Sequence, residues 1–135
     1  MLIAELMTST VHSVSSDTSI KEAASMMRDL DIGSLAVIDN GELCGILTDR
    51  DICCRCVADD LDPYKAEVSD IMTIDVTSCF GDQDISDAAE LMEQMHIRRL
   101  AVKNHDDSIA GLFLLDSRRY CGRWDVTILG WLCII

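Results

Sequence analysis

Thr48 and Asp51 lie three residues apart in Leu43-Cys44-Gly45-Ile46-Leu47-Thr48-Asp49-Arg50-Asp51 and are the pair in this chain best suited to chemistry. The stretch reads as an apolar strand that stops at a hydroxyl and passes at once into a helix whose first turn carries a carboxylate. Both side chains would project toward the helix N-terminus, where free backbone N–H groups and the positive end of the dipole also lie. A sugar diol next to a phosphate suits such a place. The same Thr-x-x-Asp spacing is equally a capping box, in which each side chain satisfies the other's backbone donor.

Arg98 and Arg99 are the second pair of interest. Two adjacent arginines entering the apolar run Leu100-Ala101-Val102 would be costly as core residues, so they must face solvent, an acid or an anion. In an acidic chain a surface carboxylate is as natural a partner as a phosphate. Cys53, Cys54 and Cys56 form a Cys-Cys-x-Cys group, but no second Cys/His pair follows at zinc spacing, and Cys79, Cys121 and Cys133 are isolated. They read as structural or incidental thiols, with a redox sensor as the remaining role. His12, on a strand, reads as an ordinary surface residue, and His96 and His105 have no partners at ligand spacing. The chain lacks a Walker loop, a G-x-G-x-x-G turn, a His-Glu-x-x-His helix and a G-x-S-x-G elbow, so no enzyme activity is expected.

Composition narrows the classes further. At 135 residues the chain can bury one good core, or two small halves. A content of 49% hydrophobic and 26% charged residues fits a globular protein. No apolar run approaches the roughly 18 residues that span a bilayer. No basic n-region followed by an apolar h-region opens the sequence, which is expected to be cytoplasmic. A formal net charge of −13 opposes binding to nucleic acid. Six of the 11 Lys and Arg nevertheless fall late, at Arg98, Arg99, Lys103, Arg118, Arg119 and Arg123.

The elements that must carry these residues follow from periodicity. Leu2 to Met7 is a short helical lead-in, and Val11 to Val14 a brief strand. Ser19 with Glu22 signals a helix start, and Ile20, Ala23, Ala24, Met27 and Leu30 make one buried stripe that ends near Asp31. Leu35 to Ile38 and Leu43 to Leu47 are strands joined at Asn40-Gly41, and a helix then runs to about Ala58. The pattern then begins again. Val68-Ser69-Asp70-Ile71-Met72-Thr73 answers Ile3-Ala4-Glu5-Leu6-Met7-Thr8. Ile85, Ala88, Ala89 and Met92 answer the first stripe, and Leu100-Ala101-Val102 answers Leu35-Ala36-Val37. The chain is thus a duplicated α/β (α+β) protein, with repeats over residues 1–61 and 62–135.

With that repetition, Gly45-Ile46-Leu47-Thr48-Asp49-Arg50-Asp51 resembles the nucleotide motif of cystathionine-β-synthase (CBS) domains. In that family a Gly, two apolar residues and a Thr or Ser are followed three residues on by an Asp. The resemblance covers about Ile3 to Ser117 and implies two pseudo-symmetric β-α-β-β-α repeats packed across their sheets as a Bateman module, commonly a homodimer. It implies an adenosine ligand, such as AMP, ADP or ATP, with S-adenosylmethionine and NAD as alternatives.

Asp51 would then hold the ribose hydroxyls and Thr48 lie beside ribose and phosphate. Gly45 would give the ligand room, and Ile46 and Arg50 would flank it. Arg98 and Arg99 would reach the phosphate from the other repeat, and Val76 and Thr77 would meet the adenine. The second repeat departs from the pattern. Leu114 stands where the first has Thr48, Ser117 where it has Asp51, and Gly33-Ser34 align with Arg98-Arg99, so one cleft is expected to be competent and the other degenerate. The implied role is regulation of an unidentified partner protein. The alternative is a ligand-free interaction or oligomerisation module. The apolar stretch from Arg118 to Ile135 fits neither pattern and is expected to favour self-association.

Overall fold

The computed structural model describes residues 1–114, and these form two compact units. One is Thr10–Val76. The other combines Met1–Ser9 with residues 77–114. The expected tail and the Ser117 position lie outside the described residues.

In the Thr10–Val76 unit the order is β1 (Ser13–Val14), α1 (Ile20–Leu30), β2 (Ser34–Asp39), β3 (Glu42–Thr48), α2 (Asp49–Asp51) and a π-helical turn (Ile52–Val57). A short α3 (Val68–Ile71) closes it. The sheet order is β1-β2-β3, with β1 parallel and β3 antiparallel to β2. The hairpin turns at Asn40-Gly41, where both residues have positive φ, 51° and 80°, the geometry that makes Asn-Gly the preferred pair. Ser19 caps α1 by accepting from the Glu22 amide at 3.2 Å. Asp31 ends the helix in the left-handed region (φ 52°), and the Ile32 amide returns to the Met27 carbonyl at 3.0 Å. This reversal corrects the expected stripe: Leu30 is exposed, and Ile32 packs on the core in its stead. Ile20, Ala23 and Met27 of α1 meet Leu35 and Val37 of β2, Leu47 of β3, Cys56, and Val68 and Ile71 of α3.

The other unit repeats this plan. A 3-10 turn (Ile3–Glu5) accompanies β4 (Ser78–Phe80), α4 (Ile85–Met95), β5 (Arg99–Lys103) and β6 (Ile109–Leu114), in sheet order β4-β5-β6. Asp84 caps α4, His96 ends it at φ 53°, and Ile97 N donates to the Met92 carbonyl at 3.0 Å, matching the first unit step for step. Val37 pairs with Gly45 and Val102 with Gly111, so the second hairpin's one extra residue is absorbed in its loop. Its core holds Ile3, Cys79, Ile85, Ala88, Met92, Leu100, Val102 and Phe113.

The compact units cross the repeat boundary. Ile3, from the first repeat, is buried in the core of the second repeat's sheet, while Val68 and Ile71, from the second, are buried in the core of the first. Each lead-in is fastened by its backbone to a glycine-bearing strand. Thr8 exchanges hydrogen bonds with Leu112 at 2.9 and 3.1 Å, and Thr73 exchanges them with Ile46 at 3.0 and 3.0 Å. Sequence similarity marks the duplicated segments, but burial of the lead-in side chains decides which sheet each completes.

Candidate functional site

At the junction of β3 and α2, Thr48 keeps an extended backbone (φ −116°, ψ 159°) while Asp49 to Asp51 turn helical. The Asp51 amide donates to Thr48 Oγ1 at 3.1 Å, and the Thr48 amide donates to Asp51 Oδ2 at 3.0 Å. The capping box is therefore formed. The other first-turn donors are also bonded, Asp49 N to the Gly33 carbonyl at 3.0 Å and Arg50 N to Asp49 Oδ1 at 2.8 Å. This corrects the expected row of free N–H groups, because local acceptors satisfy them within the protein. What the box spares is side-chain capacity. The Thr48 hydroxyl accepts one bond and keeps its hydrogen to donate, and the Asp51 carboxylate has a second oxygen.

Asp51 is 9% exposed, and no other charged side chain among the described residues is so buried. Its Oδ1 lies 3.9 Å from Arg55 Nε. Arg55 Nη1 in turn donates to the carbonyls of Ile71, at 3.0 Å, and Met72, at 3.5 Å. The sequence reading passed over Arg55, although an acid four residues before an arginine on one helix was a legible signal.

Gly45 is closely approached by the chain on its Cβ side. A Cβ built there would stand 2.7 Å from the Thr73 carbonyl oxygen and 3.0 Å from Met72 Sδ. The room beside Gly45 is taken by the lead-in itself. Gly111 repeats this, with Thr8 O at 2.7 Å and Met7 Sδ at 2.9 Å. Ile46 is 7% exposed with its backbone committed to Thr73, and the Arg50 side chain is exposed.

Val76 and Thr77 lie just before β4. The Val76 amide closes a tight turn onto the Ile74 carbonyl at 2.8 Å, and the Thr77 carbonyl receives the Ala101 amide at 3.2 Å. The ladder of β4 and β5 thus takes Thr77 by its carbonyl alone, and both side chains are half-buried. Val76 belongs to the unit that holds Gly45, Ile46, Thr48, Arg50 and Asp51. Thr77, Arg98 and Arg99 belong to the other. Arg98 is exposed just before β5, and Arg99 opens that strand half-buried, opposite Leu114.

Among the described residues no group of three or more His, Cys, Asp or Glu is arranged to hold a metal ion, and no helix is long and apolar enough to cross a membrane. Cys53 and Cys54 are exposed, whereas Cys56 is buried. Burial, and then the nearby Asp62 charge, push the Cys56 thiol up, and burial pushes Cys79 up to about 11. His105 stacks on Phe80 at 4.9 Å and meets Asp82 at 3.1 Å on the surface.

Known proteins resemble this chain in sequence and in fold. The CBS domain family model matches residues 3–56 and 68–116. CBS domain-containing protein YhcV of Bacillus subtilis is 35% identical over 114 residues, 84% of this chain and 81% of that protein. Other curated relatives are much longer, and the chain spans only 14% and 23% of two of them. A crystal structure of an uncharacterized conserved protein from Pyrococcus horikoshii has a TM-score of 0.82 at 28% identity, covering 92% of this chain and 93% of that one. The CBS domain pair of protein MJ0100, solved with methylthioadenosine and S-adenosyl-L-methionine, has a TM-score of 0.80 at 25% identity, covering 92% and 98%. With both repeats matched and both units folded alike, the chain belongs to the CBS domain family and carries two such domains in tandem.

Proposed function

We propose that this CBS pair is a regulatory module, not a catalyst, that binds one adenosine ligand. AMP, ADP and ATP are the first candidates, with S-adenosylmethionine and NAD behind them. The observation that carries the reading is Asp51. It is a buried acid at a strand-to-helix junction whose capping duty occupies one oxygen, which leaves acceptor capacity for a cis-diol. Thr48 contributes a hydroxyl hydrogen for the ribose or phosphate. Because the first-turn amides are bonded within the protein, anion recognition falls to Arg98 and Arg99. The ligands of the MJ0100 pair support the adenosine moiety as the common chemistry. Val76 and Thr77 take the adenine, and Leu114 in the position of Thr48 leaves the second repeat without the hydroxyl. The module pairs into a homodimer and signals to a partner protein.

A thermal-shift panel of AMP, ADP, ATP, S-adenosylmethionine, methylthioadenosine and NAD tests this. One ligand at 100 times its Kd should add about 2.7 kcal/mol of stability. Asp51→Ala should abolish the shift, and replacing Arg98 and Arg99 by Ala should weaken only the phosphate-bearing ligands. A chain that responds to none is an interaction module instead. The bonded helix amides favour that second reading, since they remove one anion site.

A further inference from the structure

We propose that Arg55 is a positioning residue of this site, fixing the Asp51 carboxylate and the segment that leads to Val76 as one piece. The inference rests on the adenosine reading above and deepens it. Arg55 lies on the π-helical turn, where the Ala58 amide reaches back five residues to the Cys53 carbonyl at 3.0 Å. From there one guanidinium serves two structures. Nε faces Asp51 Oδ1 at 3.9 Å, and Nη1 is shared between the Ile71 and Met72 carbonyls at 3.0 and 3.5 Å, which close the C-terminal end of α3.

Met72 and Thr73 are the residues that fill the space over Gly45, and Thr73 is bonded both ways to Ile46. Three residues further on, Val76 turns back onto Ile74. The proposed ribose acid and the proposed adenine wall therefore hang on opposite sides of the same planar fork. Arginine suits this task because its donors keep fixed directions, which a lysine's single ammonium does not. Asp51 is thereby held by two partners, the Thr48 amide on Oδ2 and Arg55 on Oδ1. A diol that docks on Oδ1 meets a carboxylate already oriented. The coupling also runs outward, since any shift of Asp51 on ligand binding is passed to the carbonyls of the segment that leaves the unit.

The test is titration calorimetry of AMP against 2′-deoxy-AMP on the whole chain and on Arg55→Ala and Arg55→Lys, with far-UV circular dichroism to establish folding. An oriented carboxylate should favour the ribonucleotide by about tenfold or more, as a lost charge-assisted hydrogen bond implies. In Arg55→Ala the preference should fall to about twofold while AMP affinity itself drops by about tenfold. Should Arg55→Ala not fold, Arg55→Lys carries the test, with the preference reduced to about threefold. If the wild-type chain binds both equally, the ribose assignment fails and this inference with it; if it binds neither, AMP is not the ligand and this inference, made for AMP, is overturned. If the wild-type preference is present and survives in folded Arg55 variants, Arg55 is only structural and this inference alone is overturned.

Discussion

At the scale of single residues, the positions with the plainest family signal divide into two kinds. Thr48 and Asp51 cap a helix and still keep hydrogen-bonding capacity, so local structure and ligand chemistry are compatible in the same side chains. Gly45 is of the other kind. Its missing side chain admits the Thr73 carbonyl, and Gly111 admits that of Thr8. Gly45→Ala and Gly111→Ala should each cost about 2 kcal/mol by forcing backbone against a methyl group, measured by urea unfolding of the ligand-free chain. A glycine kept only to make room for a ligand would show no such loss.

At the scale of elements, the N-cap of α4 and the π-helical turn make separate predictions. Hydrogen bonds from the Ser86 hydroxyl and amide, and then from the N-terminal ammonium, hold the Asp84 carboxyl down at about 2. Asp106 is lowered by Ser108 and Asp39 by Ser16 in the same way. Between the folded and ordinary values the unfolded chain carries more protons, so stability rises with pH there. It is complete above about pH 4 and lost as the pH falls toward 2. Asp84→Asn keeps the cap and removes the titration, so its acid unfolding curve should be flatter than that of the wild-type chain.

The π-helical turn sorts its thiols by exposure. Iodoacetamide at pH 8 should modify Cys53 and Cys54 in the folded chain and spare Cys56 and Cys79 until urea is added, as read by peptide mass spectrometry. Early loss of Cys56 would show that the turn opens in the native state.

At the scale of the whole molecule, each lead-in completes the sheet of the other repeat. Ile3 lies with Phe113 and Leu100, and Ile71 with Leu35 and Leu47. Ile3→Ala should cost about 3 kcal/mol and speed amide exchange in β4 to β6, although residue 3 belongs to the first repeat by sequence. Ile71→Ala should do the same to β1 to β3. Exchange that follows the 61/62 repeat boundary instead would contradict the crossed units.

The sequence by itself determined the duplication, both amphipathic helices, the Asn-Gly hairpin and the pairing of Thr48 with Asp51. Each of these rests on neighbours within a few turns of chain, where periodicity and capping chemistry are readable. Tertiary structure decided the rest. Whether amides at a helix start are free depends on acceptors such as the Gly33 carbonyl, which local spacing does not reveal. Which segment fills the space beside Gly45, and which arginine reaches Asp51 and the end of α3 together, were settled by contacts between segments far apart in sequence. Burial is a property of the assembled core, so the sheet that each lead-in completes could be read only after the chain had folded.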